Sequence, residues 1–94
     1  MDKFEKAKEV IKRKVLENKA KAEKMVEEQR TLRDETFKQR KTMPYEQYTT
    51  NISKADKILE HVRDLNRETV GLRVAMEILM SIERGFEDGK EQVE

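Results

Sequence analysis

The sequence contains no cysteine and no tryptophan, one proline (Pro44), one histidine (His61) and three glycines in 94 residues. Without cysteine the chain forms neither a disulfide nor a thiolate metal site, so it makes no demand on an oxidising compartment. A lone histidine excludes multi-histidine metal sites and Cys-His dyads. Several common catalytic and metal-binding residue sets are therefore excluded.

Long apolar runs are also missing. No stretch approaches the roughly 20 apolar residues of a membrane span, and the opening "MDKFEKAKEVIKRKV" lacks the apolar core of a signal peptide. Neither a Gly-rich phosphate loop nor a Gly-x-Ser-x-Gly turn occurs. We therefore expect a cytoplasmic, non-enzymatic protein with no catalytic residues, no metal and no cofactor.

What the chain has in abundance is charge. Charged residues make up 44% of the sequence and hydrophobic residues 35%, a composition that favours long helices and a thin core within a single domain. The net charge is +1, but residues 1–41 hold 14 Lys/Arg against 9 Asp/Glu, and residues 42–94 hold 7 against 11. The basic and acidic halves can therefore attract each other.

Two segments show the three- and four-residue apolar spacing of coiled-coil helices. The first runs from Phe4 to Leu32, and the second from Ile58 to Phe86. Pro44 interrupts helical geometry between them. The pattern predicts a helix over about 2–41, a turn over about 42–44 and a helix over about 45–88, with a possible break at 49–53 because "TTNIS" is a weak helix former.

The two segments match each other if the chain turns back at Pro44. Positions whose numbers add to about 87 are then apolar on both sides, as for Met25 with Val62, and Asn18 falls opposite Thr69. We therefore predict an all-α fold, a long antiparallel helical hairpin like a coiled coil. The pairing fails at the free ends, where Lys8 would face Leu79 and Glu83 would face Phe4.

The stretch "LRVAMEILMSI" at 72–82 has apolar residues at eight of its eleven positions, more than one neighbouring helix can cover. We expect a second copy to cover the rest, so that the hairpin dimerises into a helical bundle. The alternative is a bent or three-helix fold that buries these residues internally. The predicted interface consists of Leu72, Val74, Met76, Ile78, Leu79, Ile82 and Phe86.

Two further sets of residues are candidates for contacts. Near the turn, Met43, Tyr45 and Tyr48 could plug the hairpin end together with Phe37, or could contact a partner. The possible phosphate contacts on the first helix are Lys12, Arg13, Lys14, Lys19, Lys21 and Lys24. Interleaved glutamates and the lack of a stacking aromatic residue favour a solvated, salt-bridged surface for that helix instead.

These observations predict a small protein-interaction module that self-associates through its second helix. It would bind a macromolecular partner, most simply a protein, as a regulator, an inhibitor or an assembly or scaffolding factor. The alternative is an architectural protein that binds nucleic acid through its basic first helix. A helix pair on an anionic membrane is disfavoured, since the basic segment has few bulky apolar residues.

Overall fold

The computed structural model describes the backbone of residues 2–93 and the side chains of residues 2–86. It confirms the predicted all-α hairpin: two helices, α1 (Lys3–Lys38) and α2 (Tyr45–Val93), pack against each other in antiparallel orientation. The hairpin is 78 Å long and 18 × 14 Å in cross-section. This length follows from α2, since 49 residues at about 1.5 Å per residue extend over about 74 Å.

Helix α1 begins and ends for identifiable chemical reasons. The Asp2 carboxylate accepts a hydrogen bond of 2.9 Å from the backbone N–H of Glu5, which caps α1. At the other end, the guanidinium of Arg40 donates to the Phe37 carbonyl oxygen at 2.8 Å. That bond satisfies one of the free carbonyls of the last turn, and α1 ends at Lys38, before the predicted position.

The helix α2 runs without interruption through residues 49–53, so the break that the sequence leaves open there does not occur. The hydroxyls of Thr49 and Thr50 both donate to the carbonyl oxygen of Glu46, at 3.0 and 2.8 Å. Threonine is a weak helix former partly because its hydroxyl competes for backbone groups. Here the hydroxyls bond within the helix, so they do not break it.

Partly buried residues recur at alternating three- and four-residue steps along both helices and form the seam between them. Four of the described side chains are buried: Asn18, Thr36, Ala55 and Val62. A two-helix hairpin can shield little more than this strip, because each helix has only one neighbour. Most of the apolar surface of the described chain is consequently half-buried or exposed.

The register of the hairpin is fixed near its middle by Asn18, whose side-chain amide lies 3.5 Å from the hydroxyl oxygen of Thr69. This contact confirms the predicted facing of these two residues. At the free end the side chains make their contacts about one turn away from the residues at their own height. Lys8 pairs with Glu83 at 2.8 Å, and Phe4 packs against Phe86.

Candidate interaction surfaces

The seam divides the rest of the hairpin surface into two flanks. Residues that follow a seam residue by one position lie on one flank, as do Lys19 and Arg73, which line a common groove. Residues that precede a seam residue lie on the other flank, as do Lys14 and Glu68, which form an ion pair across the helices at 3.8 Å. We call the first the groove flank and the second the Val10 flank, after the exposed Val10 that precedes Ile11.

The predicted interface on α2 falls into two classes. Leu72, Met76 and Leu79 are half-buried in the seam, so the hairpin itself covers much of their surface. The other members of the set are exposed on the hairpin: Val74, Ile78, Ile82 and Phe86. The prediction therefore mixes residues that hold the hairpin together with residues that are available to another molecule.

Four exposed apolar residues of α2 form one continuous ridge. Val70, Val74, Ile78 and Ile82 are spaced four residues apart, so their side chains line up along the helix surface. Each of the four side chains is 48 to 59% exposed. We call this set the apolar ridge. Val70 was missing from the predicted interface because it lies outside the stretch at 72–82, although its four-residue spacing to Val74 marks it as a member.

The next position along this row is Phe86. Its ring lies 6.5 Å from that of Phe4, centroid to centroid, with an angle of 46° between the ring planes. Tilted aromatic pairs at this distance are attractive. Phe86 is still 57% exposed, so the pair closes the free end of the hairpin while leaving apolar surface at the end of the ridge.

The Val10 flank is apolar at the free end of the hairpin. Val10, Ile78 and Ile82 are each 55 to 58% exposed, and each precedes a seam residue. Val10 and Ile78 lie at nearly the same height, because their numbers add to about 87, as those of Asn18 and Thr69 do. Exposed apolar residues that converge on one region in this way are typical of association surfaces.

The groove flank carries an open depression of about 490 Å³ near the middle of the hairpin. Its apolar lining includes Val26 and Val70, and its charged lining includes Lys19, Glu23 and Arg73. A second depression of about 360 Å³ continues it past Arg73 to Leu16. The groove cannot be predicted from the sequence, because it depends on how far apart the two helices hold their flanking side chains.

The three candidate residues at the turn do not form one cluster. Tyr45 is 79% exposed, whereas Met43 and Tyr48 are half-buried. The Met43 sulfur lies 3.9 Å from the side-chain amide of Asn51. Phe37 is exposed, and the guanidinium of Arg40 lies 3.9 Å from the centre of its ring, so Phe37 takes no part in a buried plug.

The candidate phosphate contacts lie on several sides of α1. Lys12 and Lys19 are on the groove flank, Lys14 and Lys21 are on the Val10 flank, and Arg13 points away from the seam between them. Lys24 is on the Val10 flank as well. Lys14 is half-buried and pairs with Glu68, and the others are exposed. Three of the six cations thus share the Val10 flank, but Lys14 is paired there and the carboxylates of Glu17 and Glu28 lie on the same flank.

The ionisable residues offer little that is typical of a catalytic or metal site. Among the residues whose side chains are described, no group of three or more His, Asp or Glu side chains is placed to hold a metal ion, and His61 is exposed. The hydrogen bond to Glu83 raises the pKa of the Lys8 ammonium above its usual value. This is the effect of an ion pair across the seam, and it keeps Lys8 charged.

Comparison of the chain with protein-family models, curated proteins and solved structures finds no match. In the described part of the chain, no helix combines the length and apolar character needed to cross a membrane. Function is therefore inferred from the surfaces of the hairpin.

Proposed function

We propose that this protein is a non-enzymatic interaction module of the cytoplasm. It self-associates through α2 and binds a macromolecular partner, as a regulator, an inhibitor or an assembly or scaffolding factor. One observation carries the proposal: the apolar ridge of Val70, Val74, Ile78 and Ile82, half exposed along its whole length on a hairpin with four buried residues among those described.

The size of the ridge supports self-association. Burying a Val or Ile side chain fully contributes about 1.5–3 kcal/mol relative to leaving it exposed. The four ridge residues are about half exposed, so covering them would contribute on the order of 3–6 kcal/mol in each copy. A hairpin with so thin a core benefits from that contribution, and two-fold dimers are the commonest oligomers of small proteins.

The groove flank is the surface we propose for the partner. Its depressions combine apolar walls with the cationic side chains of Lys12, Lys19 and Arg73. Grooves of this kind accept the apolar face of an amphipathic helix. Val70 belongs to the ridge and also lines the groove, whereas Ile78 and Ile82 lie on the Val10 flank. Self-association through Ile78 and Ile82 therefore leaves the groove accessible.

The proposal is tested by placing a charge on the ridge. Ile78→Asp should convert the assembly to a monomer while helix content by circular dichroism is retained, because Ile78 is exposed on the hairpin. Leu79→Asp is a poorer test, since Leu79 is half-buried in the seam and its loss would also destabilise the hairpin. Ser53→Asp, which adds the same charge to an exposed position of α2 far from the ridge, is the matched control.

The mass of each variant in solution decides the outcome. The proposal predicts a dimer for the unmodified chain and for Ser53→Asp, and a folded monomer for Ile78→Asp. An Ile78→Asp protein that keeps the oligomeric mass of the unmodified chain would show that the ridge is not the association surface. Repeating the measurement at high salt tests whether the contact between copies is apolar, because apolar association persists at high salt while association through exposed charges weakens.

A further inference from the structure

We infer that the second copy lies alongside the first with both turns at the same end, so that α1 of each copy packs on α2 of the other through the Val10 flank. This inference rests on the self-association proposed above and gives the dimer a defined orientation. The two-fold axis would run along the hairpin between the two copies. The product is a four-helix bundle about as long as one hairpin, 78 Å.

The position of the exposed apolar residues limits the possible orientations. Val10, Ile78 and Ile82 all lie at the free end of the hairpin, on the same flank. If two copies lay side by side with their turns at opposite ends, the free end of each copy would pack its apolar residues on the turn end of the other, where this flank carries the charged Glu35 and Lys54. In a two-fold dimer, the same residues of the second copy can cover Val10, Ile78 and Ile82 only if the two free ends meet.

With the turns at the same end, heights along the bundle are equal in the two copies. A residue of α1 then packs on α2 of the second copy at the place where the two residue numbers add to about 87, as they do within one hairpin. Val10 of each copy therefore packs on Ile78 of the other. Since the same contact forms twice about the axis, the apolar residues of both free ends are covered together.

The charges on the Val10 flank agree with this arrangement. Lys24 on α1 lies at the height of Asp64 on α2 of the second copy, and Glu28 lies at the height of Lys57. All four residues are exposed and all four precede a seam residue. Each of these two pairs of opposite charges thus forms twice in the dimer. Electrostatic complementarity of this kind fixes orientation more than it adds affinity.

The remaining orientation joins two hairpins end to end through their free ends, with the turns far apart. It also lets the free ends meet, but it places α1 against α1. The first half of the chain, residues 1–41, holds 14 Lys/Arg against 9 Asp/Glu, so this contact brings two basic segments together. It also leaves the middle and the turn end of both hairpins without a neighbour.

The orientation is tested by a distance between the two turns. The chain contains no cysteine, so Lys41→Cys at the exposed turn provides a single site for a spin label. Pulsed electron resonance should give a label-to-label distance of about 20–35 Å, from interaxial spacings of about 8–10 Å plus the two label arms. The opposed side-by-side dimer would place the labels roughly 80 Å apart, and the end-to-end dimer more than about 100 Å apart, given the hairpin length of 78 Å.

Charge reversal tests the proposed contacts independently. Lys24→Glu should weaken the dimer roughly 3- to 10-fold, since the lost attraction occurs twice, and adding Asp64→Lys should restore most of it. Lys19→Glu on the groove flank is the control, and we expect its effect to be under about 2-fold. No rescue of Lys24→Glu by Asp64→Lys would contradict the pairing of these residues.

The outcomes separate the orientation from the proposed function. A dimer with the short distance supports both. A dimer with only the long distances contradicts the orientation and leaves self-association standing. A monomer at micromolar concentration contradicts self-association itself, and with it the claim that a second copy covers the ridge.

Discussion

The side-chain amide of Asn18 on α1 donates hydrogen bonds to Thr69 and Glu68 on α2, at 3.5 and 3.2 Å. Asn18 is 1% exposed, and its side-chain oxygen has no hydrogen-bond partner. A polar residue at this depth specifies the register of two helices at a cost in stability. Asn18 therefore fixes the register of the two helices, and its cost in the free energy of unfolding can be measured.

Asn18→Leu should raise the free energy of unfolding by about 1–2 kcal/mol, because it removes a buried oxygen that has no partner and adds apolar surface to the seam. It should also permit alternative pairings of the helices, visible as broadened amide resonances. Chemical denaturation gives the stability. Clear destabilisation by this substitution would mean that Asn18 contributes more through its two hydrogen bonds than it costs.

Two buried or half-buried threonines make a matched comparison. The hydroxyl of Thr36 is buried without a hydrogen-bond partner, whereas the hydroxyl of Thr69 donates to the Leu65 carbonyl at 2.9 Å and accepts from Asn18. Thr36→Val should therefore stabilise the protein by about 1 kcal/mol, and Thr69→Val should destabilise it by about 1 kcal/mol. Effects of the same sign would contradict these hydrogen-bond assignments.

The ion pair of Lys8 and Glu83 lies in the seam at the free end, where the sequence predicts that each of the two charged residues faces an apolar residue. Lys8→Leu should lower the midpoint of thermal unfolding, because it leaves the Glu83 carboxylate partly buried without its cation. Adding Glu83→Leu should restore the midpoint or exceed it. Thermal melts of the two single variants and the double variant test the coupling, which is absent if the two effects simply add.

The same pair predicts a pH dependence. Because the hydrogen bond to Glu83 raises the pKa of Lys8 above 10.5, the stabilisation is complete below pH 10.5 and is lost as the pH rises through the raised value. The difference in midpoint between the unmodified chain and Lys8→Leu should consequently shrink in alkaline buffer. A difference that is the same at pH 8 and in alkaline buffer would show that the charge of Lys8 does not matter.

Gly71 lies in the interior of α2, and a methyl group at its Cα would meet no atom within 4 Å. Glycine in a helix costs about 1 kcal/mol relative to alanine. Gly71→Ala should therefore raise the free energy of unfolding by about that amount. Gly85→Ala, which also meets no atom within 4 Å, is the matched control, and a loss of stability confined to Gly71→Ala would indicate a neighbour outside the hairpin.

The hairpin and its central register could be predicted because the seam repeats regularly and Asn18 and Thr69 mark the same height on both helices. The contacts at the free end could not be predicted, because the Lys8 side chain pairs with Glu83, about one turn from the residue at its own height. The composition of residues 49–53 left a break in the helix open, but α2 continues through them, and the hydroxyls of Thr49 and Thr50 donate to the Glu46 carbonyl oxygen.

The interaction surface was predicted in part. An excess of apolar residues at 72–82 was visible in the sequence, but the division between Leu79 in the seam and Ile78 outside it depends on the helix rotation that packing fixes. Val70 is not part of the predicted set, because it lies outside that apolar stretch. The groove beside Arg73 could not be anticipated, because it arises from the separation of side chains on two different helices.

The proposed function requires a second copy to cover Val10, Ile78 and Ile82 at the free end of the hairpin. Light scattering after size exclusion, at low and high salt, measures the mass that decides this. We expect a mass of about 22 kDa, twice the 11.2 kDa of one chain, at both salt concentrations. A species of 11.2 kDa at both salts and at micromolar concentration would contradict it.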